Sequence, residues 1–75
     1  MNDMLFTTLL KRYEATIEDA RYKIQSFNEN NLIIPEHIDI TGEVDKLLQI
    51  IAESEDKVAV MRKYYGKSKA EKQVL

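Results

Sequence analysis

His37 stands between Glu36 and Asp39, and this trio is a small cluster of metal-ligating or proton-transferring types. A protein metal site takes three or four ligands, usually with several histidines or cysteines among them. His37 is the sole histidine, and there is no cysteine. The trio therefore predicts a solvated or partner-contacting histidine rather than a metal centre. Glu53, Glu55 and Asp56 are carboxylates of the kind that general acid–base or di-metal chemistry requires. A di-metal bundle site wants Glu-x-x-His on facing helices, and this sequence lacks that pattern. Ser54 as a nucleophile would need an adjacent base and oxyanion donors, and the sequence supplies neither. The expectation is a protein that is not an enzyme, with no catalytic, cofactor-binding or metal-binding residues.

Two other groups suit binding rather than catalysis. Leu32, Ile33 and Ile34 are consecutive apolar residues, followed closely by His37. An apolar run of this kind either caps the end of a helical bundle or forms a docking surface for another protein. Leu32, Ile33, Ile34 and His37 are the expected partner-binding residues. The alternative is nucleic acid. Arg62, Lys63, Tyr64, Lys67 and Lys69 combine cations that neutralise phosphate with an aromatic ring on which a base can stack. The acidic middle of the chain opposes that reading. Residues 29–56 carry eight acidic side chains against Lys46 alone, and residues 57–75 carry six basic ones against Glu71. The same asymmetry complements the macrodipole of a helix that starts acidic and ends basic.

The elements that position these residues are written in two heptad stripes. Phe6, Leu10, Tyr13, Ile17, Ala20, Ile24 and Phe27 recur alternately four and three residues apart. Val44, Leu47, Ile51, Ser54, Val58, Met61 and Tyr65 do the same after a break. An average spacing of about 3.5 residues places each set on one narrow face of a helix. The pattern predicts a helix over about 3–27, a loop over 28–40, a second helix over about 41–65 and a basic flexible tail over 67–75. Asn2 or Asp3 is the expected cap of the first helix and Thr41 that of the second. Asn28 to Asn31 and Pro35 break the chain between them. Gly66 ends the second helix in the position where glycine commonly follows one. The fold class is all-α: a long antiparallel two-helix hairpin, coiled-coil-like.

One seam between two helices buries little apolar surface for the number of residues it orders. Leu5 and Leu9 flank the first stripe, and Leu48, Ile50, Val60 and Tyr64 flank the second. This wider apolar face predicts that the hairpin pairs with a second copy into a four-helix bundle. The alternative is a three-helix monomer completed by the apolar loop. No segment approaches the roughly 18 apolar residues of a membrane span. The first ten residues lack a basic start and a cleavage site. A cytoplasmic protein without a membrane partner is the expectation.

Several segments read together suggest a family. Lys11-Arg12-Tyr13-Glu14 with Ile17 precedes Pro35-Glu36-His37, Glu43-Val44-Asp45-Lys46-Leu47 and Ala52-Glu53-Ser54-Glu55-Asp56-Lys57. Over roughly residues 5–65 this resembles short uncharacterised helical-hairpin proteins of tailed bacteriophages, of the T-even-like kind that infect marine bacteria. The resemblance implies a phage accessory protein working in the host cytoplasm. It carries no activity, ligand or catalytic residue over to this chain.

Overall fold

The computed structural model describes residues 1–29 and 39–66, which form two helices, α1 (Asp3–Glu29) and α2 (Ile40–Tyr65), packed as an antiparallel hairpin. Each helix is about 40 Å long at 1.5 Å per residue. Neither Gly nor Pro interrupts α1. Its start is capped by Asn2, whose Oδ1 accepts the Leu5 N–H at 2.8 Å. Asp3 in the first turn adds a favourable charge at the positive end of the helix dipole.

The cap of α2 differs from the expected one. Asp39 holds that position, with extended backbone at φ −86° and ψ 92°. Its Oδ1 accepts the Gly42 N–H at 3.1 Å and the Thr41 hydroxyl at 3.0 Å. Thr41 thus serves the cap rather than being it, and α2 begins two residues earlier than a cap at the threonine implied. A carboxylate is the stronger acceptor at a site where free N–H groups converge. At the other end Gly66 does not adopt the left-handed conformation expected of a terminating glycine. Its backbone is extended, at φ −72° and ψ 123°. What requires glycine there is space: a Cβ would lie 2.5 Å from the Arg62 carbonyl oxygen.

One contact marks the register of the hairpin. The Lys57 ammonium lies 5.4 Å from the centre of the Tyr13 ring. Near the loop end, Phe27 shares a groove with Leu47. That register brings Ile17 close to the level of Ser54, and Ala20 close to the level of Ile51. Each layer pairs a bulky residue with a small one, which lets the helix axes approach closely. Ala20 is 1% exposed and Ser54 6%. Met61, also 6% exposed, is the other buried apolar residue among those described. The remaining stripe residues are half-buried, except Tyr65, which is exposed. No large side chain among the described residues is fully enclosed. The seam therefore exists as the heptads dictate, but it forms a strip rather than a core.

Candidate functional site

The chemistry-bearing side chains do not converge. Glu53, Glu55 and Asp56 are all exposed, and at 100° per residue they point away from the helix in three different directions. Glu53 accepts a hydrogen bond from the Gln49 side chain at 3.1 Å. Lys57, four residues further on, lies over the Tyr13 ring instead of against this carboxylate. Ser54 lies in the seam, where its small size is the relevant property. No group of three or more ligand-type side chains that could hold a metal ion occurs among the described residues. Leu32, Ile33, Ile34 and His37 lie outside the described residues, as do Lys67 and Lys69.

Arg62, Lys63 and Tyr64 are exposed on the last turns of α2. The Lys63 ammonium stands 5.2 Å from the centre of the Tyr64 ring, a cation–π contact that occupies one face of the aromatic. Arg62 points to the other side of the hairpin from Tyr64, 160° around the helix. These residues share a turn of helix but not a common binding face.

What the fold does assemble is an apolar flank. Each helix carries residues on two sides of its stripe, and the antiparallel packing joins one side of α1 to one side of α2. On one side lie Thr7, Glu14 and Arg21 from α1 and Leu48, Glu55 and Arg62 from α2, all exposed. Among these six residues of the charged flank, Leu48 is the one large apolar side chain. On the other side Leu5 and Leu9 from α1 run alongside Ile50, Val60 and Tyr64 from α2. Near the loop end this second flank opens into a groove of about 540 Å³. Phe27, Leu47 and Ile50 form its floor, and Lys23, Glu43 and Lys46 are on its rim. The rim charges are partly paired, with Lys23 to Asp19 at 3.0 Å and Lys46 to Glu43 at 3.4 Å. A wet, exposed ion pair of this kind contributes little to stability, so the rim can rearrange around an occupant. No family model, curated protein or solved structure matches this chain.

The groove flank is the candidate surface that reading the residues alone did not isolate. Leu5, Leu9, Leu48, Ile50, Val60 and Tyr64 were all recognisable as apolar residues beside the stripes. Their uneven division, Leu48 on one side and the other five on the opposite side, follows from the register of the hairpin. The signal was the residue immediately before the first position of each α2 heptad pair: Ile50 and Tyr64 both occupy it, and Leu9 occupies the matching position in α1. Among the described residues no helix is long and apolar enough to cross a membrane.

Proposed function

We infer that this chain is a non-enzymatic interaction protein that works by presenting helical surfaces to other protein chains, first of all to a copy of itself. The observation that carries this reading is the imbalance between burial and apolar content. Only Ala20 and Met61 are buried among the described apolar residues, while Leu5, Ile50, Val60 and Tyr64 remain exposed on one flank. Small domains with so thin a core commonly gain stability by associating. The resemblance to phage hairpin proteins supports an accessory role of this kind in an infected cell. Nucleic-acid binding through Arg62, Lys63 and Tyr64 is the competing use of the C-terminal end of α2. The opposed directions of Arg62 and Tyr64 and the Lys63 cap on the ring favour the protein reading.

The test is light scattering coupled to size exclusion, across about a hundredfold dilution, with circular dichroism on the same samples. The expected result is a dimer that loses helix as it dissociates. A fully helical monomer at every concentration overturns the self-association. Binding to single-stranded or duplex DNA that falls steeply with salt, and is abolished by Lys63→Glu, would favour the nucleic-acid reading instead.

A further inference from the structure

The groove flank is apolar at both ends and charged at its waist. At the open end of the hairpin stand Leu5, Leu9, Val60 and Tyr64; at the loop end stands the groove floored by Phe27, Leu47 and Ile50. Between them the charges are sorted by sign. Arg12 and Lys57 occupy the open-end side of the waist, at one level because Lys57 sits over Tyr13. Asp19 and Glu53 occupy the loop-end side, one to two turns further along. Asp19 also holds Lys23 at 3.0 Å and Glu53 the Gln49 amide at 3.1 Å, so a partner's cations share these carboxylates with them.

This ordering is self-complementary in one direction only. We propose that a second copy of this chain covers the groove flank, antiparallel to the first, about a twofold axis that crosses the hairpin at the level of Thr16 and Glu55. The proposal rests on the self-association inferred above and adds the face, the direction and the register. In this arrangement α1 lies against the partner's α1, and α2 against the partner's α2. Arg12 meets the partner's Asp19, and Lys57 meets the partner's Glu53. Ile50 meets the partner's Val60, and Tyr64 and Leu5 reach toward the partner's groove. Every contact occurs twice, as a twofold interface requires, and the product is a four-helix bundle.

Both charge pairs put the axis at the same height. The midpoint between Arg12 and Asp19 on α1 falls between Ala15 and Thr16. The midpoint between Lys57 and Glu53 on α2 is Glu55. The contact between Tyr13 and Lys57 places Glu55 beside Ala15 and Thr16. A parallel dimer has no such agreement. With the twofold axis along the hairpin, Arg12 faces the partner's Lys57 and Asp19 faces the partner's Glu53, so like charges meet at every waist contact. Charge juxtaposition of this kind selects direction more than it adds affinity.

The two directions predict opposite signs for one substitution. In the antiparallel bundle Lys57→Glu sets like charges against each other twice, and the dimer dissociation constant rises roughly tenfold. The double variant K57E/E53K restores it. In a parallel bundle Lys57→Glu would replace repulsion from Arg12 by attraction and tighten the dimer. Crosslinking tests the same geometry without touching the charges. The chain has no cysteine, so Thr16→Cys places a single thiol next to the proposed axis. A short bis-maleimide should join two such chains at least roughly tenfold faster than chains carrying Glu14→Cys, which lies on the charged flank. A dimer that tightens with Lys57→Glu, or that crosslinks through Glu14→Cys and not through Thr16→Cys, overturns this arrangement and leaves the self-association standing. A monomer at all concentrations overturns both.

Discussion

Asp39 ties the start of α2 together with two hydrogen bonds. It receives the chain as it enters α2 and satisfies one of the free N–H groups of the first turn. The Gly42 N–H bond, then the Thr41 hydroxyl, then the nearby Lys46 charge hold its carboxyl below the ordinary value of 3.8, slight desolvation opposing them. A carboxyl whose pKa is depressed on folding contributes stability that is fully present above the unfolded value. That contribution is lost as pH falls through the folded value. The contribution of Asp39 to the helical signal should therefore be constant from neutral pH to just above 4 and decline below it. Asp39→Asn keeps a capping acceptor without the charge and should remove that acid-sensitive step. Circular dichroism at 222 nm against pH reads both, and an unchanged acid transition in Asp39→Asn would show that other carboxylates govern it. Ala20 and Ser54 pose the complementary question of size. Ala20→Leu forces a side chain into the closest approach of the helices and should cost about 1–3 kcal/mol. Ser54→Ala keeps the volume small and should change stability by less than about 0.5 kcal/mol. Urea unfolding of the two variants side by side checks the pair. Equal losses would mean that the hydroxyl, not the volume, matters at Ser54.

At the scale of the element, each helix was legible because its period is a property of the helix alone. Phe6 to Phe27 and Val44 to Met61 form the stripes that the heptads prescribe, and the structure buries or half-buries every one of them. Tyr65 is the exception: it closes the list by spacing, yet it lies at the last residue of α2, where it remains exposed. The ends of the helices were read less well. Thr41 and Asp39 both have capping side chains, and the choice between them depends on where the chain turns, which local propensity leaves open. Gly66 was recognisable as a stop, but the physical reason is the close Arg62 carbonyl rather than a left-handed backbone. Pairing choices were the hardest. Glu53 and Lys57 have ideal i,i+4 spacing, worth about 0.2–0.5 kcal/mol, and a contact of similar size with Tyr13 is enough to draw Lys57 away. The candidate site fell in the same gap. The flank on which Ile50, Val60 and Tyr64 meet Leu5 and Leu9 is a relation between two helices, and neither helix encodes it alone.

For the whole molecule, the two flanks make a directional prediction. If association through the groove flank stabilises the fold, stability becomes a function of concentration, because a dimer that unfolds to two chains gains from dilution. Each tenfold dilution then removes about 1.4 kcal/mol from the folded assembly. For an assembly of about 150 residues this lowers the melting temperature by about 3–6 °C. Ile50→Lys places an ammonium on the floor of the groove that a partner must cover, and it should give a chain that melts early and independently of concentration. Leu48→Lys makes the same chemical change at a comparably exposed residue on the charged flank. It should retain the concentration dependence of the parent chain, because that flank already accommodates Glu14, Arg21, Glu55 and Arg62 in water. The comparison matters more than either variant alone. Both lose one exposed apolar side chain and gain one charge, so a general effect of composition moves them equally. Melting curves that shift together would show that association does not use the groove flank. A collapse confined to Ile50→Lys would place the interface on the side where the two stripes leave their apolar neighbours uncovered.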